Sequence, residues 1–177
     1  MKSSSRMALC GMMGALSVTC LLLTVFPFAT YALPALASMF LFPVVIECGR
    51  RWGLLTYAAT AVLAVLLAPD LEAKVLYAAF FGYYPILKSV AEPCGKAGEW
   101  ALKLGAFNLS VVGAYFVLTR LGLSLQEFAL GNLPLGAVLV GFLLVGNVVF
   151  VLYDIALTRA LSLYFARFQP LLRRLFR

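Results

Sequence analysis

The chain of 177 residues is 64% hydrophobic and only 12% charged, whereas soluble domains have roughly 45–50% apolar and about 25% charged residues. A water-soluble fold of this length cannot hide so much apolar surface, so the composition predicts an integral membrane protein. The net charge of +7 comes from residues at the ends of apolar segments, where they would meet anionic lipid headgroups. This placement argues against nucleic acid as a partner.

Six apolar segments follow one another along the chain, and each is predicted to be a membrane-spanning helix. In order they cover about Met7–Phe28, Tyr31–Ile46, Trp52–Ala68, Ala73–Val90, Trp100–Leu121 and Pro134–Leu157. Pro34 and Pro43 predict a kink or break in the second helix, and Pro85, after four aromatic residues, predicts a bend in the fourth. The fold class is an all-α bundle of six transmembrane helices in one domain, residues 1–177, in which residues 160–177 form a basic amphipathic tail at the inner membrane surface.

The basic residues are sorted between alternate loops of this arrangement. One side holds Lys2, Arg6, Arg50, Arg51, Lys88, Lys96, Lys103, Arg159, Arg167, Arg173, Arg174 and Arg177, and the other holds Lys74 and Arg120. Cytoplasmic loops carry the excess of lysine and arginine in membrane proteins. The pattern therefore predicts a multi-pass protein of the plasma membrane with both termini in the cytoplasm.

Polar residues within the apolar segments are expensive in lipid, and so they indicate sites of interest. Asn108 on the fifth helix and Asn147 on the sixth fall at similar depth, which predicts an interhelical hydrogen bond or a shared ligand contact. Arg159 is expected to form a structural ion pair with Asp154 or with Glu47. Lys88 is expected to extend its ammonium group to the cytoplasmic interface, as Glu47 does with its carboxylate.

Aromatic and polar residues on the fourth and fifth helices form stripes at helical spacing, which most often reflect packing. If the stripes face each other, they would line an amphipathic pocket in the outer half of the bundle, covered by the long loop of residues 122–133. The candidate solute-binding residues are Tyr77, Phe81, Tyr84, Asn108, Tyr115, Arg120, Glu127 and Asn147.

The composition disfavours chemistry by the chain itself. Histidine is absent, which removes the commonest general base and metal ligand. The four cysteines form no CxxC pair and are expected to be small buried hydrophobes rather than a zinc, redox or disulfide site. We therefore expect no catalytic residues, no metal and no cofactor. The chain also lacks a Walker motif, so active transport would require partners or an ion gradient.

The whole chain resembles the substrate-binding S component of energy-coupling factor vitamin transporters, in its length, in its six predicted spans with both termini inside, and in two stretches of sequence. The basic start followed by Met7-Ala8-Leu9-Cys10-Gly11-Met12-Met13-Gly14-Ala15-Leu16-Ser17 is similar to the small-residue first helix of that family, and Leu33-Pro34-Ala35-Leu36-Ala37 with Pro43 and Gly53 is similar to its second helix and the following turn. The resemblance implies binding of a vitamin or metal ion near the outer face, and docking of the first helix on a transmembrane coupling subunit driven by two ATPases. Gly11, Gly14 and Ala15 would be the docking residues, although the family more often has alanine at positions 11 and 15. The lack of histidine argues against the cobalt and nickel members.

The favoured function is therefore capture of a small, vitamin-like organic solute from the outside by the substrate-specific subunit of such a transporter. The alternative is a multi-pass protein that organises or regulates a partner membrane protein, for which the small-residue surfaces would suffice. An intramembrane enzyme is the least favoured class.

Overall fold

The computed structural model describes residues 3–26, 29–121 and 135–169, and every regular element within these ranges is a helix. Four of the described stretches are long and apolar enough to cross a membrane, namely Ser3–Val25, Arg50–Leu67, Leu71–Arg120 and Val140–Arg167. A shorter apolar helical stretch covers Ala32–Cys48. The expected all-helical class is confirmed, and these helices are compatible with a membrane location.

The first two predicted helices correspond to three helices in the structure. α1 covers Ser3–Leu22 and ends in a 3₁₀ turn at Leu23–Val25, and the second apolar segment is divided into α2, Ala32–Met39, and α3, Leu41–Cys48. The predicted break lies at Phe40, because Pro43 has no amide hydrogen to donate to the carbonyl four residues earlier. Gly49, at φ 92°, then turns the chain into the next helix in a conformation that favours glycine.

The third predicted helix is α4, Arg50–Leu67. The carboxylate of Asp70 accepts hydrogen bonds from the amides of Glu72 at 2.9 Å and Ala73 at 3.3 Å, which caps the start of α5, Leu71–Leu76. The Asp70 carboxylate also accepts a bond from the Thr30 hydroxyl at 2.7 Å. The turn before α2 is thereby tied to the turn before α5.

The fourth apolar segment is irregular at the predicted place. After α5 the chain forms a π-helical turn at Tyr77–Phe81, in which the Gly82 amide donates to the carbonyl of Tyr77 at 2.8 Å, and α6 then covers Tyr84–Ala91. Gly82 is required here, since a Cβ at this position would lie 2.6 Å from two ring carbons of Tyr57. The Tyr57 hydroxyl donates to the carbonyl of Ala78 at 2.5 Å. The close contact between Tyr57 of α4 and this segment therefore stabilises the π-helical turn.

The long stretch Leu71–Arg120 folds back on itself. A 3₁₀ turn at Glu92–Cys94 and Gly95, at φ 79°, separate α6 from α7, Gly95–Arg120, and α7 packs along α6, the π-helical turn and α5. The interval of residues 91–99 between the fourth and fifth predicted helices is therefore too long, since α7 begins at Gly95. Because Gly95, with its positive φ, reverses the chain, the residues that follow it already belong to α7.

The last described helix is α8, Leu135–Leu163, which continues into a π-helical turn at Tyr164–Phe168. The predicted end near Leu157 was wrong, since the helix extends into the segment that we expected to be a separate tail. The rest of that tail, residues 170–177, lies outside the described residues, as does the predicted outer loop with Glu127.

Two hydrophobic cores hold the helices together. The first lies between α1, α2, α4 and the π-helical turn around Tyr77, and the second lies between α3, α6, α7 and α8 around Phe80 and Phe150. On the other side of α8, Val140, Leu144, Val148 and Leu152 repeat every four residues and are each more than half exposed. Such an apolar outer stripe is typical of a helix that faces lipid.

Candidate functional site

Three charged side chains meet in the interior, where α6, α7 and α8 come together. Asp154 accepts hydrogen bonds from Lys88 at 2.6 Å and from Lys103 at 3.2 and 3.0 Å, and it accepts a further one from the Tyr84 hydroxyl at 2.5 Å. Only 5% of Asp154, 2% of Lys88 and 1% of Lys103 is exposed. With Glu99, which binds Lys103 at 2.5 Å, these residues are called the ion cluster.

The ion cluster is assembled from pairs spaced four residues apart on each helix, a spacing that places two side chains on one face. Tyr84 and Lys88 lie on α6, and Glu99 and Lys103 lie on α7. On α8, Asp154 is followed four residues later by Thr158, whose hydroxyl accepts from Lys88 at 3.0 Å. Two ammonium groups face two carboxylates, so the buried charges are balanced, as burial in a low-dielectric interior requires.

This geometry corrects two predictions from the sequence. Asp154 pairs with Lys88 and Lys103 rather than with Arg159, which is exposed. Glu47 instead accepts from Gln169 at 3.1 Å. Lys88 does not extend to the interface, since the carboxylate of Asp154 compensates its charge inside the bundle.

An aromatic layer of Phe80, Tyr84, Phe107 and Phe150 lies next to the ion cluster. The rings of Phe107 and Phe150 are stacked with centroids 4.8 Å apart and an interplanar angle of 14°, and Phe80 packs edge-on against both. Phe80 and Phe150 are almost completely buried. Aromatic contacts of this kind fill space densely, so the layer closes the bundle beside the charges.

The predicted contact between the two asparagines is confirmed. The amide of Asn108 donates to the carbonyl oxygen of Asn147 at 3.1 Å, and Asn147 donates back to Asn108 at 3.0 Å. Each amide also donates to the backbone carbonyl four residues earlier in its own helix. At about 1.5 Å of rise per residue, this amide pair lies about 10 Å along α8 from Asp154. Both side chains are half-buried.

The amide pair has a second polar contact nearby. The hydroxyls of Tyr83 and Ser110 are 2.6 Å apart, and both residues are half-buried. No atom would lie within 4 Å of a Cβ placed at Gly113 on α7 or Gly141 on α8. The helices α7 and α8 therefore carry half-buried polar groups beyond the aromatic layer, on the side away from the ion cluster, whereas Gly113 and Gly141 lie on exposed surfaces of these helices.

The structure distributes the predicted solute-binding residues over several places. Tyr77 is fully buried in the first core, where its hydroxyl lies 2.9 Å from those of Ser17 and Thr60, and Tyr84 belongs to the ion cluster. Phe81 packs edge-on against Tyr153.

The other predicted solute-binding residues follow α7 and α8. Asn108 and Asn147 are together, and Tyr115 lies two turns beyond Asn108 on α7, while Arg120 is exposed at the end of that helix. Glu127 lies outside the described residues.

The predicted docking residues of α1 lie on two faces. Gly11 and Ala15 are exposed, and no atom would lie within 4 Å of a Cβ at Gly11. Gly14 is buried, and its Cβ would lie 3.4 Å from a methyl group of Thr60. The docking prediction therefore rests on Gly11 and Ala15, whereas Gly14 allows α1 to pack closely on α4.

Sequence reasoning missed Lys103 and Glu99 as members of the site. Lys103 was counted only as a basic residue of an inner loop, although its spacing from Glu99 favours an ion pair on a helix. It also missed the bond between the hydroxyls of Ser38 and Tyr153, 2.6 Å apart, which joins α2 to α8. Within the described ranges, no three cysteine, histidine or acidic residues are grouped to bind a metal. Cys94 is exposed, contrary to the expectation that all four cysteines are buried, because it lies in the short turn between α6 and α7.

Comparisons of the chain with protein-family models, with curated proteins and with solved structures gave no match.

Proposed function

We propose that the chain crosses the plasma membrane six times, with both termini in the cytoplasm. Twelve basic residues on one side of this arrangement and two on the other support the orientation. The reversal of the chain between α6 and α7 supports counting Leu71–Arg120 as two spans, and the apolar stretch of α2 and α3 would be another.

Within this topology, we propose that the protein captures a small organic solute from the outside, as the substrate-specific subunit of an energy-coupling factor type transporter. The subunit performs no chemistry on the solute. Energy would come from a separate transmembrane coupling subunit with ATPases. The proposal rests on the resemblance of the first two helices to that family, together with the packing of the bundle.

Solute capture is supported mainly by a difference in side-chain packing between the two ends of α7 and α8. Toward the basic side, the ion cluster and the aromatic layer fill the interior with almost fully buried side chains. Toward the other side, the amide pair and the contact between Tyr83 and Ser110 are only half-buried. Polar groups above a closed apolar layer suit a solute that enters from outside and stops there.

The proposed binding residues are the amide pair, Tyr115 and Arg120, together with Glu127, which lies outside the described residues. Amide groups and a guanidinium provide hydrogen-bond donors, and the aromatic ring provides an apolar face. Tyr77, Phe81 and Tyr84 would shape the closed floor of the site rather than contact the solute, because protein groups already occupy their surroundings.

The test is to purify the full chain in native lipid and identify any co-purified small molecule by mass spectrometry. Arg120→Ala is expected to lower the amount of bound molecule while leaving the thermal transition unchanged. Arg159→Ala, an exposed arginine at the other end of the bundle, is the matched control. If no molecule co-purifies, or if Arg159→Ala reduces it as much as Arg120→Ala, solute capture at this site is wrong.

The second candidate function, organisation of a partner membrane protein, is supported by the exposed small residues Gly11 and Ala15 on α1. Small residues let a second helix approach closely. Gly11→Leu is expected to leave bound solute unchanged and abolish association with a coupling subunit if the chain serves transport. Association with a membrane partner in the absence of any bound solute would favour the organising role instead.

A further inference from the structure

The helices α1 and α4 pack side by side and run in the same direction. A Cβ at Gly14 of α1 would lie 3.5 Å from a methyl group of Thr56 and 3.4 Å from one of Thr60. Further along both helices, Leu21 and Ala64 belong to the same hydrophobic core. The two helices therefore stay in contact, and levels on one can be matched to levels on the other.

This matching brings three arginines to one level. Arg6 lies about two turns before Gly14 on α1, and Arg50 and Arg51 lie about two turns before the contact of α4 with Gly14. Since both helices rise by the same distance per residue, the starts of α1 and α4 place these residues together at the basic end of the bundle. We call Arg6, Arg50 and Arg51 the arginine patch.

In the described part of the chain, the arginine patch takes part in no ion pair. Every ion pair there belongs to the two lysines of the ion cluster, which engage the carboxylates of Glu92, Glu99 and Asp154. Glu47 accepts a hydrogen bond from Gln169 at 3.1 Å. The acidic groups of this end are thus engaged by other residues, and the positive charge of the arginine patch is left uncompensated.

The arginine patch also has hydrogen-bond donors to offer. The Nε atom of Arg6 is buried and has no acceptor among the described residues, although buried donors normally have one. Arg50 donates to the backbone carbonyl of Ser89 at 2.5 Å. Arg50 and Arg51 stand in the first turn of α4, which has neither an acidic residue nor a side-chain cap and where the helix dipole disfavours cations. A bound anion would compensate these charges.

An exposed apolar stripe begins at the arginine patch. After Arg51, the residues Leu55, Val62 and Leu66 follow at intervals of four, seven and four residues, and 64%, 60% and 72% of them is exposed. This spacing places all four residues on one face of α4. A soluble anion would use only the arginines, whereas a phospholipid would use the arginines for its phosphate group and the apolar stripe for its acyl chains.

We propose that the arginine patch binds the phosphate group of an anionic phospholipid, whose acyl chains lie along the exposed stripe of α4. Basic residues near the membrane surface attract anionic lipids, and each residue strengthens binding by about fivefold. The site is formed by α1 and α4, whereas the proposed solute site lies on α7 and α8. Lipid binding is therefore independent of solute capture.

The experiment measures which lipid lies beside Trp52, the residue after Arg51 and one of two tryptophans in the chain. Trp100→Phe protein is reconstituted into vesicles of phosphatidylglycerol and phosphatidylcholine with identical chains. Each lipid in turn carries brominated chains, which quench nearby tryptophan fluorescence, so the two quenching curves give the relative binding constant at Trp52. We expect phosphatidylglycerol to bind at least about fivefold more tightly, and we expect salt to reduce this preference.

Single variants in the same background identify the residues that hold the lipid. Arg51→Gln is expected to lower the preference by about fivefold, and Arg6→Gln is expected to lower it in the same direction. Arg159→Gln removes another exposed arginine from the basic end and should leave the preference unchanged. The thermal transition of each variant is measured in parallel. The parent protein supplies the lipid preference even if a variant does not fold.

Three results would overturn the proposal. Equal binding of the two lipids at Trp52 would show that no anionic lipid is selected, and an equal effect of Arg159→Gln and Arg51→Gln would show only a general attraction of the basic end. Displacement of phosphatidylglycerol by inorganic phosphate, but not by chloride at the same ionic strength, would assign the arginine patch to a soluble phosphate. Displacement by a polyglutamate peptide alone would assign it to an acidic protein partner.

Discussion

Replacing Asp154 with asparagine tests the ion cluster most directly, because the side chain keeps its shape but loses its charge and exchanges one acceptor oxygen for an amide donor. In the wild type the carboxylate accepts four hydrogen bonds, from Tyr84, Lys88 and Lys103. Without that charge, the Lys88 ammonium group retains its hydrogen bond to the Thr158 hydroxyl and a distant ion pair with the Glu92 carboxylate at 3.9 Å. An ammonium group that is 2% exposed would then lack a close counter-ion.

Removing one partner of a buried ion pair costs about 3–5 kcal/mol. Lys103 retains Glu99, so most of this cost falls on Lys88. For a chain of this size, about 2–4 °C of melting temperature corresponds to 1 kcal/mol, and the expected decrease is roughly 6 to 20 °C. The assay is thermal unfolding of purified protein in one detergent, followed by fluorescence.

Two controls make this prediction specific. Arg159→Gln removes an exposed charge one turn further along α8 and should leave the transition unchanged. The triple variant Lys88→Met, Lys103→Met and Asp154→Leu removes all three charges together, and it should be more stable than Asp154→Asn, because apolar replacement of a buried ion cluster is often neutral. If Asp154→Asn melts within about 1 °C of the wild type, the carboxylate does not hold α8 against α6 and α7.

Three further predictions concern the helix contacts and the topology. Asn108→Leu and Asn147→Leu should each lower the melting temperature, and a double-mutant cycle should give a coupling energy of about 0.6–1.7 kcal/mol. A coupling energy of zero would contradict the reciprocal amide bonds. Gly82→Ala should destabilise the protein by about 1–3 kcal/mol, since its Cβ would meet the Tyr57 ring. Gly113→Ala, at which no atom lies near the added Cβ, should not destabilise the protein, and equal effects of the two variants would show that the close contact at Gly82 is absent. Cysteines placed at positions 127 and 97, in a background without reactive native cysteines, should be labelled in intact cells only at 127, and the reverse pattern would refute the proposed orientation.

Much of the fold follows from local properties of the sequence. Apolar segments identify the helices, Pro43 accounts for the break between α2 and α3, and Pro85 with its aromatic neighbours indicates the irregular turn before α6. The pairing of Asn108 with Asn147 could also be predicted, because depth along two helices follows from a fixed rise per residue and an unpaired amide in lipid is costly.

The partners of the charged residues were decided by the tertiary structure. Sequence proximity favoured Arg159 for Asp154, but helix rotation and packing bring Lys88 and Lys103 to it from two other helices. In the same way, Tyr77 and Tyr84, seven residues apart, enter different cores across the π-helical turn. Periodicity determines which residues share a face of one helix, whereas the neighbours of that face depend on how the whole bundle fills space.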